Sequence, residues 1–223
     1  MSVGGEESTG PVPPGSAGGP RRTEELMEAL FDVPLAALRR PVEPRLLDEA
    51  LAAARFAPSA ANLQPWTFVR VSQPRTVSII AEHALSSLGL PLPNHRNEAL
   101  AEAAHLVLVC LNVLRAKCRF GDRGLELFAV QDVAAAAHTV RLAALERGIA
   151  SHWVRELDLA ALDEALGLSP RLRLQAVIAF GQAPDRQLER PPRLIPSQFV
   201  RVEGEPLGAA GSPDGTGAEE GRS

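Results

Sequence analysis

A chain of 223 residues, 45% of them hydrophobic, is long enough to bury one good core and too short to need two domains. A net charge of −4 with no basic stripe excludes a general nucleic-acid binder, which meets the phosphate backbone with a basic face. The N-terminus carries no positive region followed by an apolar run. The longest apolar segment, residues 106–114, is too short to span a bilayer and is interrupted by Asn112, so a soluble cytoplasmic protein with no membrane partner is expected.

Residues 1–22 and 204–223 are rich in Gly, Pro, Ser and Glu and poor in apolar side chains, which predicts disordered tails around one domain at 23–203. A short amphipathic helix is expected over 23–31. A second, over 44–57, puts Leu46, Leu47, Ala50, Leu51 and Ala54 on one face. Residues 67–72 alternate as a strand. Helix returns over 74–88 with Val77, Ile80, Ala81 and Ala84 inward, stops at Gly89, and gives way to a turn over 91–94. A short helix at 97–104 precedes the strand 106–114, whose unbroken apolar run suits the centre of a sheet. The longest helix is expected over 122–147, ended by Gly148, and the small residues Ala134 to Ala137 would let another helix approach closely. Cys110, inside the apolar strand, reads as a buried thiol. It and Cys118 suggest neither a disulfide nor a zinc site.

Between the second helix and the first strand the chain reads Ala57-Pro58-Ser59-Ala60-Ala61-Asn62-Leu63-Gln64-Pro65-Trp66. Pro58 lacks an N–H and pushes its predecessor out of the helical region, so the helix ends there. Ser59, Asn62 and Gln64 offer hydroxyl and amide groups for a polar planar ligand, and Trp66 offers an apolar wall with one N–H.

The order Ala-Pro-Ser-x-x-Asn-x-Gln-Pro-Trp resembles the signature of the FMN-dependent nitroreductase family. Further blocks follow in that family's order: Pro41-Val42 before the signature helix, the strand from His105, Gln131 to Ala136 in the long helix, Gly148 to Val154 at its exit, and Ala176 to Gly181 as the last core strand. The resemblance runs from about Thr23 to Val202. It implies an α+β fold, a mostly antiparallel sheet flanked by helices in three layers, assembled as an intertwined homodimer with FMN at the subunit interface. It also implies an oxidoreductase passing electrons between NAD(P)H and a small organic acceptor. By motif match, Pro58, Ser59, Ala60, Asn62 and Gln64 form the segment reaching the flavin from the neighbouring subunit. Trp153, Val154 and Arg155 occupy the stretch along the ring, and Arg193 falls where a C-terminal cation meets the phosphate.

Two departures accompany this. The family's N-terminal Arg-x-Ser-x-Arg motif is absent from residues 30–40; Asp32 stands in its place, where it would repel a phosphate. Arg39 or Arg40 is left to substitute, one at most, since neighbours on a helix or strand cannot both face one site. Arg155-Glu156 also stand where many members carry Gly. A cofactor-free partner subunit and an FMN-dependent dehydrogenase or oxidase of the same fold are therefore alternatives. His105 and His138 read as core or interface histidines. Asp132 reads as a partner of N–H groups or of an Arg, or as a group orienting the flavin side, and the resemblance puts Arg96 and Asn97 near where the family sometimes places ribityl contacts.

Overall fold

The computed structural model describes residues 21–85, 97–184, 188–189 and 191–200. The chain divides into one unit ending at Leu188 and a second beginning at Glu189. In the second, residues 191–195 are exposed and precede a 3-10 turn at Pro196–Gln198. The tails expected over 1–22 and 204–223 fall almost wholly outside the described residues. So do Gly89, Arg96 and the 91–94 turn.

The first unit is an antiparallel sheet with helices on both faces. Its strands are β1 (Trp66–Arg70), β2 (His105–Asn112), β3 (Ile149–Val154) and β4 (Leu172–Gln182), in the order β1-β2-β4-β3. β2 and β4 are central, which explains why β2 is apolar at nearly every position rather than at alternate ones. Val107, Val109 and Leu111 face one hydrophobic cluster with α2 (Pro44–Ala52) and α6 (Ala129–Glu146). Leu106, Leu108 and Cys110 face another with α3 (Pro74–Glu82), α4 (Glu98–Ala101) and α7 (Leu159–Leu166). In β4, Leu174 and Ala176 lie in opposite clusters although two residues apart. The register explains this: Val109 opposes Ala176 and Cys110 opposes Leu174, so Gln175 is the extra residue of a bulge that resets the pleat.

Several sequence expectations are corrected. The signature helix is α2 only to Ala52, followed by a 3-10 turn at Ala53–Phe56, and α3 stops at Glu82, with Ala84 bridging Leu157. The long helix begins at Ala129 rather than 122. It is preceded by α5 (Val113–Arg123) and a π-helical turn at Gly124–Phe128. Leu114 thus leaves the strand for α5, because the Asn112 side chain caps that helix by accepting from the Arg115 N–H at 3.0 Å. Ala136 and Ala137 are fully buried in the subunit's own core, while Ala134 is exposed. Their small size serves packing of α6 within the chain. Gly148 does end α6, at a φ of 72° that disfavours other residues.

A segment between α1 (Arg21–Ala29) and α2 lies across one end of the sheet. Leu38 O accepts from Ala104 N at 2.8 Å, and Arg40 O accepts from Gln182 N at 2.9 Å. Position 181 must be glycine for this strap to lie down: a Cβ there would stand 2.6 Å from Leu38 O.

Candidate functional site

The turn after α2 closes on itself through strained backbone. Ala61, Asn62 and Gln64 have φ values of 50°, 55° and 47°, all in the left-handed region that side chains other than Gly and Asn avoid. Four bonds hold this shape. Asn62 N donates to Ser59 O (3.0 Å), Leu63 N to Ala60 O (3.1 Å), Gln64 N to the Ser59 hydroxyl oxygen (3.0 Å), and the Gln64 side-chain amide to the Asn62 side-chain oxygen (3.1 Å). One contact reaches outside the turn. Asp132, in the first turn of α6, accepts from Ala60 N at 3.1 Å, and burial pushes its carboxyl above the usual carboxylate range while that N–H opposes the shift. The reading of Asp132 as a partner of N–H groups is the one its geometry matches. Ser59 here orders the backbone, whereas the Asn62 side chain stays at the surface. Trp66 is not a ligand wall. At 8% exposure it belongs to the core between α2 and α6.

A surface groove lies beside this turn, lined by Ala60, Leu63, Phe120, Phe128, Ala129 and Asp132 among others. Phe120 and Phe128 pack edge to face with centroids 5.1 Å apart. Arg119 and Arg123 lie over these two rings, at 5.7 and 5.2 Å from their centroids.

The second constellation gathers where β3 leaves the sheet. Asp32 accepts from the Trp153 backbone N–H at 2.9 Å and from the Arg141 guanidinium at 2.6 Å. Arg141 also donates to the Ser151 hydroxyl and to Phe31 O, and is 7% exposed. Burial lowers its pKa; Asp32 opposes that. Val154 is buried, Trp153 is half-buried, and the exposed Arg155 stacks over the Trp153 ring at 5.1 Å. The charge of Asp32, standing where the family motif carries cations, is therefore compensated inside the subunit by Arg141. Composition gave no sign of that residue; its position on the apolar phase of α6, beside Ala137, Val140 and Ala144, did.

The remaining candidates have other partners. Arg39 pairs with Glu102 at 2.5 Å, and Arg40 donates to Ala183 O. Asn97 caps α4 by accepting from Leu100 N. His105 accepts from Val42 N at 3.1 Å, so that nitrogen is unprotonated, in keeping with a pKa lowered chiefly by burial. His138 is exposed on α6, its pKa lowered by desolvation and by Arg141. Arg193 is exposed in the C-terminal unit. Within the first unit, then, the structure presents two assemblies: the 58–64 turn on Asp132, and the β3 exit on Asp32 and Arg141. Asp132 and Arg141 are nine positions apart on α6, which puts them on opposite faces and about 13 Å apart along the axis. Among the described residues no three His, Cys, Asp or Glu side chains gather as a metal site, and no helix is long and apolar enough to cross a membrane.

Known proteins match this chain in sequence and fold. The sequence model of the nitroreductase family matches residues 38–182. An Archaeoglobus fulgidus protein, provisionally named NADH dehydrogenase/NAD(P)H nitroreductase, is 30% identical over 152 residues, covering 66% of this chain and 78% of the relative. The 5,6-dimethylbenzimidazole synthase of Rhodospirillum rubrum is 26% identical over 166 residues, 67% of this chain and 79% of that one. In structure, the NADPH:FMN oxidoreductase of Vibrio harveyi, solved with NAD+, superposes with a TM-score of 0.68 at 23% identity, covering 83% of this chain and 78% of its own.

Proposed function

We propose that this chain, which belongs to the nitroreductase family of oxidoreductases, is an FMN-dependent enzyme passing electrons from a nicotinamide donor to a small oxidised organic acceptor. Bound FMN would supply the redox chemistry, taking a hydride and returning electrons to the acceptor. The chain's own residues bind and orient. The observation that carries this reading is the strained 58–64 turn, held by Asp132 and presenting the Asn62 amide at the surface beside Gln64. Such strain persists where the surrounding structure over-determines it, and it clusters at ligand sites. The amides supply both donors and acceptors, which fits the pyrimidine edge of a flavin.

The placement of Asp132 and Arg141 on opposite faces of α6 supports a homodimer, with the turn of one subunit facing the β3 exit of its partner. Leu127 and Val130, both about 40% exposed around the start of α6, supply apolar surface for that contact. Trp153, Val154 and Arg155 would then run along the ring. Arg193 is the proposed phosphate ligand by its place in the family order, and Arg39 a weaker one, since Glu102 already holds it. The absence of the basic N-terminal motif from residues 30–40 favours a second reading, a cofactor-free partner subunit.

The test is flavin retention. Protein incubated with excess FMN and desalted should carry a bound-flavin absorption band, weakened in Asn62→Ala. Colourless protein would overturn the enzyme reading in favour of the cofactor-free one.

A further inference from the structure

Among the described residues only two polar or charged residues are buried, Arg141 at 7% exposure and Ser151 at 3%, and they bond each other: Arg141 Nε donates to the Ser151 hydroxyl at 2.9 Å. By contrast, the guanidiniums of Arg45, Arg70 and Arg173 meet their carboxylates with a third or more of the side chain exposed. Arg141 also reaches one short segment, donating to Phe31 O at 3.2 Å and to Asp32 Oδ1 at 2.6 Å. The same segment holds three consecutive residues of β3. Ser151 O accepts from Val33 N at 3.1 Å, Val33 O from His152 Nδ1 at 2.9 Å, and Asp32 Oδ1 from Trp153 N at 2.9 Å. A buried ion pair is weak support for stability, since well-packed apolar residues commonly do as well. The convergence of these bonds on one strand end points to a role there.

We propose that Asp32 and Arg141 are positioning residues of the electron-transfer site: they fix the backbone of residues 151–153 and keep its local charge near zero, and so set the reduction potential of a flavin bound along that strand end. The inference rests on the reading above that the chain binds FMN, and adds what tunes it. The observation that carries it is the shared atom: Asp32 Oδ1 takes both the Arg141 guanidinium and the Trp153 N–H, which ties the backbone to a charge pair. A hydride from the nicotinamide donor brings two electrons and one proton, so the flavin ring gains one negative charge as the donor loses one. Fixed charges placed where charge develops are the protein's lever on such a step. Arg141 is always protonated, and Asp32 cancels most of its field. Without the carboxylate charge, a buried cation would stand uncompensated behind Trp153 and draw electrons onto the ring. Arg155 and Glu156, both exposed, follow at the surface, where water and salt screen them.

The experiment is redox titration of the flavin-loaded full-length protein against a reference dye, with hydrogen exchange at the Trp153 amide measured in the flavin-free protein. Asp32→Asn keeps an acceptor for Trp153 N–H and removes the charge. It should shift the equilibrium toward reduced flavin by about tenfold, about 30 mV for a two-electron couple, the effect of one unit charge about 10 Å away at an effective dielectric constant of about 20. Exchange at Trp153 should stay slow in that variant. Asp32→Ala should raise the potential too, and quicken exchange. Asp32→Glu keeps the charge but displaces it, so the potential should hold while exchange quickens. Asp48→Asn is the control: it removes a carboxylate paired with Arg70 of β1, the edge strand opposite β3, and should move neither reading. A potential that Asp32→Asn leaves unchanged or lowers, or that Asp48→Asn raises as much, overturns the electrostatic role. Exchange at Trp153 as slow in Asp32→Ala as in the unmutated protein overturns the positioning role. Unmutated protein left colourless by excess FMN overturns the flavin reading and this inference together, whereas coloured protein with an unmoved potential overturns this inference alone.

Discussion

Replacing Asp132 by alanine should cost flavin affinity far more than global stability. Asp132 makes the one hydrogen bond from outside the turn that holds Ala60, and three residues beyond it sit at positive φ. Each left-handed L-residue costs on the order of 1–2 kcal/mol, somewhat less for Asn, so the turn stores roughly 3–5 kcal/mol. A hydrogen bond to a charged acceptor is worth about 1.5–3 kcal/mol. Without it the turn can relax to lower strain, and FMN must then restore the productive shape, which weakens its apparent affinity by about 10- to 100-fold. Asp132→Asn separates charge from geometry, since it keeps an acceptor without the carboxylate's charge. Burial raises the Asp132 pKa in the folded protein. The group's contribution to stability is therefore fully present below the unfolded carboxylate range and lost as pH rises through its folded pKa. Asp132→Asn should remove that pH dependence and lose less affinity than Asp132→Ala. Fluorescence titration with FMN and hydrogen exchange at residues 60–64 measure both effects. Exchange rates and affinity that stay unchanged in Asp132→Ala would refute the idea that this carboxylate holds the turn.

Val130→Glu, on the exposed side of α6, should convert a dimer to folded monomer by light scattering, whereas Ala136→Glu should unfold the chain because Ala136 is fully buried; an unmutated protein that is already monomeric at high concentration ends the dimer reading. Asp32→Ala should lower stability in urea by about 1–3 kcal/mol, below the cost of breaking a fully buried pair because the Asp32 side chain is 37% exposed, and Asp32→Asn by less, because it can still accept from Trp153 N–H. Gly181→Ala should cost on the order of 1–3 kcal/mol and speed hydrogen exchange at Ala104 and Gln182, since its methyl meets Leu38 backbone; an unchanged melting temperature would show that the strap yields freely. Arg193→Ala should weaken FMN about 10- to 100-fold and leave riboflavin nearly unaffected, and equal weakening of both would remove it from the phosphate.

The sheet was legible where one pattern admitted one answer. The run from His105 reads as a central strand because only a strand covered on both faces is apolar at successive positions, and Cys110 is buried there as that reading requires. α5 was not legible as a separate helix, for a local reason. Asn112 looks like a polar interruption at the end of an apolar strand, and only the structure shows it capping the next element. α7 has both of its signals in the sequence, Asp158 as N-cap and Gly167 as the stop, which the structure places at a φ of 58°.

The site was legible in its residue types and not in its pairings. Pro58 to Gln64 announced a polar turn, but side-chain chemistry says nothing of φ, so the strain at Ala61, Asn62 and Gln64 could not be read. Trp66 is ambiguous in the sequence because an aromatic next to a polar turn suits a ligand wall and a core equally well; which it is depends on α6, more than sixty residues later in the chain. Asp32 shows the limit most clearly. Read along the chain it is an anion where the family places cations, which argues against a phosphate nearby. In the fold it meets Arg141, 109 residues away, and its charge is spent on a guanidinium that would otherwise be buried without a counterion. The same carboxylate takes the Trp153 N–H, so it fixes the backbone of the stretch proposed to run along the ring. A residue that looks like the loss of a binding motif is, within one subunit, a brace for the opposite wall of the proposed site.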